Sequence, residues 1–278
     1  MLARSRQEVI LETVRRDGSA RVSDLVARLG VSDMTVRRDI AELARRGLLE
    51  RVHGGAAAGG RSSEEPGFAA KSALRTAQKR AIGALAASLV RPGASVALSA
   101  GTTTVEVARH LADVADLTVV TNSPPVAALL HEPARRDRTV VLTGGVRTPS
   151  DALVGPVAVR SLQGLHVDHL FLGVHGVDER AGLTTPNLVE GETDRALVAA
   201  AASVVVVADA TKWGVVGLTT IAALEEVDVL VSDEGLAPAA RRVLAERTGR
   251  LLLAPDPDPA PAPDRSAPTP QHSPEEHP

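Results

Sequence analysis

Cysteine is absent from all 278 residues, which excludes disulfides, thiol nucleophiles and zinc sites built on thiolates. No apolar run approaches the roughly 18 to 20 residues that span a bilayer, so neither a membrane span nor a membrane partner is expected. The opening stretch MLARSRQEVILETVRR breaks its apolar residues with charges at helical spacing, where a secretory signal needs a continuous apolar region. A cytoplasmic location is the expectation. Lysine is missing from residues 1–60, where 11 Arg stand against 8 Asp plus Glu. That segment carries +3, and the overall −3 therefore leaves −6 for residues 61–278. The positive end is the candidate anion binder, although DNA affinity depends on where basic groups sit relative to phosphates rather than on a domain sum.

What remains is the composition of an ordinary globular protein, 44% apolar and 23% charged, long enough for two cores. Leu2, Val9, Ile10 and Val14 fit one face of a first helix, which Asp17-Gly18 stops. Ser23 is a candidate N-cap for a second helix, Asp24 to Leu29, and Gly30 can supply the left-handed residue that ends it. Ser32 is positioned to cap a third helix, closed by Gly47, in which Val36, Ile40 and Leu43 recur at core spacing. Leu48, Leu49 and Val52 suit a short strand, with His53-Gly54-Gly55 as a hairpin tip.

The composition turns to Ala, Gly and Ser from Ala56 to Ser63, as a connector does. A helix from Ser72 to Val90 is then predicted, after which short apolar strands alternate with amphipathic helices. The strands expected are Ser95–Leu98, Leu117–Thr121, Thr139–Leu142, His169–Leu172, Val204–Ala208, Val227–Val231 and Leu251–Leu253, with helices near 105–111, 124–131, 188–201 and 238–247. Nine of the 18 prolines lie in the last 24 residues, which reads as a solvated, disordered tail. The fold class predicted is α/β: an N-terminal winged helix-turn-helix followed by a Rossmann-like, open and mostly parallel sheet. The domains expected are a DNA-binding unit at 1–57, a linker at 58–71, a sensor at 72–253 and the tail at 254–278.

A helix-turn-helix reads base edges with the N-terminal residues of its second helix. Ser32, Thr35, Arg37 and Arg38 occupy those positions, and His53 occupies the wing tip. Adjacent arginines diverge by about 100° on a helix, so one can meet a base edge and the other a phosphate. Arg45 and Arg46 continue the basic face. This segment resembles the DeoR family of bacterial regulators through Arg6, Ile10 and Val14, then Ser32, Thr35, Val36, Arg37, Arg38, Asp39 and Ile40, and the wing run from Arg51 to Ala56. The resemblance implies a repressor, less often an activator, of carbohydrate-use operons, with a double-stranded operator as partner.

In open α/β sheets ligands bind outside the C-terminal ends of strands. Small and polar groups follow the expected strands: Gly101-Thr102-Thr103-Thr104, Asn122-Ser123, Thr143-Gly144-Gly145, Gly173 to Gly176, Asp209 to Lys212 and Ser232-Asp233. A Gly-Thr-Thr-Thr loop opening a helix offers N–H groups, hydroxyls and a positive dipole end to a phosphate. Lys212 can add a point charge, while Asn122 and Asp209 can bond sugar hydroxyls. Residues 64–253 resemble the DeoR sensor domain in the runs Ala100–Thr104, Val119–Ser123, Leu142–Gly145, Gly182–Pro186 and Asp209–Trp213. That domain is related in fold to sugar-phosphate isomerases and coenzyme A transferases, and its effectors are phosphorylated sugars or their derivatives. Ser99-Ala100 stands where the family usually has Asp-Ser, which removes an acidic group and argues against retained isomerase chemistry.

No cofactor or metal is expected, and a homo-oligomer is, because repeated half-sites need paired reading heads. One alternative is an isomerase-like enzyme with an appended DNA-binding unit, using Glu190, Glu192 or Asp209 as proton-transfer groups and Lys212 as electrophile. Another is a DNA-binding scaffold without an effector.

Overall fold

The computed structural model describes residues 3–17, 19–45, 48–52, 54–57, 67–132 and 135–255. The expected turn at Gly18, helix end at Gly47, wing tip at His53 and tail beyond 255 lie outside the described residues, as does Leu2.

Near the N-terminus lie α1 (Ala3–Asp17), β1 (Ser19–Arg21), α2 (Val22–Leu29), α3 (Asp33–Arg45), β2 (Glu50–Val52) and β3 (Gly55–Ala57). Ile10, Val14, Leu25, Val36, Ile40 and Leu43 close over one another in a single core, so the helical spacing of the sequence is the packing face. Gly30 ends α2 in the left-handed region at φ 64°, as expected. Ser23 is not the cap of α2: the helix begins one residue earlier, at Val22, and the Ser23 hydroxyl turns instead to the Asp24 carboxylate at 3.1 Å. Val22 is buried there, and its N–H donates to the Gly54 carbonyl, which fixes the start. The wing is a three-stranded antiparallel sheet of order β1-β3-β2. Leu48 lies outside it and is exposed, while Leu49 is buried.

The larger part runs α4 (Phe68–Ser72), α5 (Thr76–Ala87), β4 (Ser95–Leu98), α6 (Thr102–Leu111), β5 (Leu117–Thr121), α7 (Pro124–Leu130) and β6 (Arg138–Leu142). It continues through β7 (Val146–Arg147), β8 (Leu153–Val154), α8 (Pro156–Leu162), β9 (His169–Gly173), β10 (Gly176–Asp178), β11 (Gly182–Thr185) and α9 (Leu188–Ala199). Last come β12 (Val204–Val207), β13 (Thr219–Ala222), β14 (Val229–Asp233), α10 (Pro238–Arg247) and β15 (Leu251–Ala254). The single helix expected from Ser72 to Val90 is two helices, broken at Ala73–Arg75, where Arg75 takes φ 52°.

Seven parallel strands form the main sheet in the order β15-β14-β12-β9-β4-β5-β6. Alternate residues of the central strands enter opposite cores: Leu170, Leu172, Val204 and Val206 on one face, Phe171, Val205 and Val207 on the other. A sheet buried on both faces needs apolar residues at every position, which is why the run at 204–207 is four consecutive valines. From β4 the chain steps outward through β5 and β6, then returns to the other side of β4 with β9 and continues to β15. The strand order therefore reverses between β4 and β9, and such a switch point leaves a crevice at the strand ends.

Candidate functional site

Two surfaces bring the expected residues together. At the start of α3 the Ser32 hydroxyl accepts from the Thr35 N–H at 3.3 Å and lies 2.9 Å from the Thr35 hydroxyl, so the two cap the helix jointly. Arg37 grips the Asp33 carboxylate one turn back, with Nη2 to Oδ2 at 3.3 Å, and this partner holds its guanidinium above the ordinary arginine range. Arg38 is exposed and makes no hydrogen bond or ion pair among the described residues. Asp39, next in the Arg-Arg-Asp run, points the opposite way: it is buried and meets Arg6 Nε of α1 at 2.8 Å and Gln7 Nε2 at 3.4 Å. The run thus divides between an exposed face and a structural clasp. Arg45 is held by Glu42.

The second surface is a cleft of about 340 Å³ over the C-terminal ends of β12, β9, β4 and β5, at the switch point. Gly101, Thr102 and Thr103 line it at the start of α6, whose first turn no side chain caps. Its N–H groups are the orphan donors that an anion satisfies. Asn122 lines the cleft with both amide atoms committed: Oδ1 accepts from Ala100 N–H at 2.8 Å and Nδ2 donates to the Leu153 carbonyl at 3.2 Å. It positions the Gly101 loop before it does anything else. Asp209 accepts from Thr211 N–H at 3.0 Å and from the Thr211 hydroxyl, and Lys212 follows on the same wall.

Three expected residues are not on this wall. Thr104 is fully buried, with its hydroxyl donating to the Gly101 carbonyl at 2.8 Å. Gly144 and Gly145 form a turn ahead of β7; at Gly145, φ is 121° and a Cβ would stand 2.5 Å from the Val154 carbonyl oxygen, so glycine serves backbone packing there. Ser99 also works structurally, its hydroxyl accepting from Gly173 N–H at 2.9 Å.

Lys71, Arg75 and Lys79 line the cleft as well and were not singled out from the sequence. Their spacing of four was the available signal, although the structure gathers them across the break between α4 and α5 and not on one helical face. Lys79 is buried and its Nζ donates to the Lys71 carbonyl at 2.6 Å. Burial holds its ammonium below the usual lysine range; Asp209 opposes this, while Lys212 and Lys71 push the same way as burial. Glu190 is buried, accepting from Thr148 at 2.7 Å and from the Ser150 hydroxyl, whereas Glu192 lies on an exposed face. Among the described residues no group of His, Asp and Glu is placed to hold a metal ion, and no helix is long and apolar enough to cross a membrane.

Residues 6–60 match the DeoR-like helix-turn-helix domain and residues 74–234 the DeoR C terminal sensor domain. The chain belongs to the DeoR family of transcriptional regulators. Among DeoR-type relatives, it is 38% identical over 255 residues to the regulator YgbI of Escherichia coli K12, covering 91% of this chain and 99% of that one. It is 40% identical over 242 residues to the regulator GlpR of Haloferax volcanii, covering 87% and 94%. With the transcriptional repressor AccR of Agrobacterium fabrum the identity is 33% over 232 residues, covering 83% and 89%. Ribose 5-phosphate isomerase A of Neisseria gonorrhoeae overlaps 49% of this chain and 53% of its own at 18% identity and a TM-score of 0.34, too slight a likeness to bear on function. As a DeoR-family protein the chain is a DNA-binding transcriptional regulator of the repressor type.

Proposed function

We propose that the chain represses a carbohydrate-use operon and that a phosphorylated sugar or related metabolite, bound at the strand ends, sets its affinity for the operator. The observation that carries this reading is the cleft at the β4/β9 switch point, where the uncapped start of α6 faces a wall holding Lys79 and Lys212. Ser32, Thr35, Arg37, Arg38 and His53 are the residues assigned to the operator. Gly101, Thr102, Thr103 and Lys212 are those assigned to the effector. The protein acts in the cytoplasm as a homo-oligomer, and the ligand works by favouring one pairing of sensor domains over another, which requires differential affinity for the two.

The ligand is sensed rather than turned over. Glu190 is held by two hydroxyls and is thereby occupied, and Ser99 supplies no carboxylate beside it. Fluorescence anisotropy on DNA from upstream of the chain's own coding region tests the proposal. Aldose phosphates should change the operator Kd, and no isomerised product should accumulate; an unchanged Kd across four-, five- and six-carbon phosphates overturns it.

A further inference from the structure

Among the described residues ten large apolar side chains are exposed, and seven of them fall between residues 141 and 218. They are neighbours in space. Leu142 ends β6, and a Cβ at Gly144, two residues on, would stand 3.6 Å from Val157 Cγ1 at the start of α8. Val146 of β7 pairs with Val154 of β8, and a Cβ at Gly155, the next residue, would stand 3.8 Å from Val189 Cγ1 in the first turn of α9. Leu188 precedes it in that turn. Leu218 joins them from the start of β13, because a Cβ at Gly191 of α9 would meet Thr219 Cγ2 at 2.6 Å. An apolar ribbon therefore runs from the open edge of the main sheet to the trio β10-β11-β13, with Val146 71%, Val157 63% and Leu218 66% exposed along it.

The chemistry of the ribbon says what covers it. An open sheet edge is normally blunted by charge, yet the exposed side chains of β6 are Thr139, Val141 and Leu142, and among the described residues β6 is hydrogen-bonded to β5 alone. Val140 packs into the core beside α7, whereas Val141 on the opposite face is left open. Arg147, on the ribbon, is paired with Asp151, so two such faces meet there without like-charge repulsion. The seven exposed parts total on the order of 600 Å², at the limit of what monomers leave in one patch and most of the about 800 Å² that each partner gives a stable interface. A two-fold axis lays such a face on its own copy, with the same apolar row on both sides. Resting on the homo-oligomer reading, we infer that this ribbon, from the β6 edge to Leu218, is the surface on which a second copy of the chain docks. Its position ties pairing to the cleft, since Ala152, next to β8, and Glu190, next to Val189, line the cleft wall.

The test is sedimentation velocity on the full chain at submicromolar and micromolar concentrations. Wild type should sediment as a dimer or larger assembly. Val157→Glu puts a charge into the contact from each copy at once, and it should raise the Kd of that contact by about a hundredfold or more, seen as a fall in assembled mass. Val146→Glu should do the same and gives a second reading should Val157→Glu fail to fold. Met34→Glu carries the same change at an exposed apolar position off the ribbon, on α3, and should leave the assembly intact. Ribbon variants that fold and assemble like wild type would overturn the inference and leave the homo-oligomer reading standing, as would a Met34→Glu that dissociates equally. A wild type that is monomeric throughout would overturn both.

Discussion

Removing the Asp39 carboxylate should undo the DNA-reading unit without touching its reading surface. In Asp39→Ala the Arg6 guanidinium, its side chain 11% exposed beside a position only 4% exposed, loses this buried carboxylate. Breaking a buried pair by deleting one partner costs about 3 to 5 kcal/mol, because the remaining charge is left desolvated. A unit of this size has only about 3 to 8 kcal/mol of stability in total, at about 0.05 to 0.15 kcal/mol per residue. The loss is therefore comparable to the whole, and α1 should detach from α3. Hydrogen exchange reads this directly: peptides covering 3–17 and 33–45 should lose protection, while those covering the sheet at 95–98, 169–173 and 204–207 keep it. The double variant Arg6→Met with Asp39→Leu, which removes both charges of the pair, should recover most of that protection. Wild-type protection of α1 and α3 in Asp39→Ala would refute the reasoning and reduce the clasp to an ornament.

Arg38→Ala should weaken operator binding severely while leaving the unfolding midpoint unmoved, as its exposed side chain has no internal partner; unchanged anisotropy would contradict its role. Asp33→Ala releases Arg37 from its carboxylate and should raise binding to non-operator DNA, measured as a smaller ratio of specific to non-specific Kd. Lys79→Met should abolish effector binding without lowering the Tm of the ligand-free sensor. Because burial lowers the folded-state pKa of Lys79, its cost is fully present below that lowered value. That cost fades as pH climbs from the depressed value towards about 10.4, so the wild type should gain on the variant over that window in Tm against pH. Asp168, whose carboxylate takes Ser95 N–H and hydroxyl at 2.7 Å each, is held below its usual range by those bonds. Its contribution is present above about pH 3.9 and lost as pH falls through the lowered value, so Asp168→Ala should unfold earlier than wild type at pH 7 and converge with it in acid.

The central strands of the main sheet were legible because strands buried on both faces must be apolar throughout, and the ends of all seven fell within about two residues of the expectation. The antiparallel trio β10-β11-β13 was not, since Gly176–Asp178 and Gly182–Thr185 are short and mix polar with apolar residues, and Val177 and Leu183 reach the core only once the trio packs against the main sheet. The same holds for β1, three residues that pair with the wing. Of the residues that line the cleft, Gly101 to Thr103 and Lys212 were readable from strand-end chemistry. Lys79 was hidden inside a helix whose apolar face drew attention, and the αL residue at Arg75 that turns α4 against α5 has no sequence mark. Gly145 lies off the cleft wall for a physical reason: a glycine needed for a phosphate and one needed for close backbone packing look alike until the neighbouring Val154 carbonyl is placed.

The central claim is that one molecule couples a DNA site to an anion site, and coupling between two binding equilibria is reciprocal. Effector affinity should therefore be titrated on the free chain and on the chain saturated with operator. The account predicts that operator changes the effector Kd by the same factor by which effector changes the operator Kd, and that both factors fall to one in Lys212→Gln. An effector that binds equally well on and off DNA would contradict it.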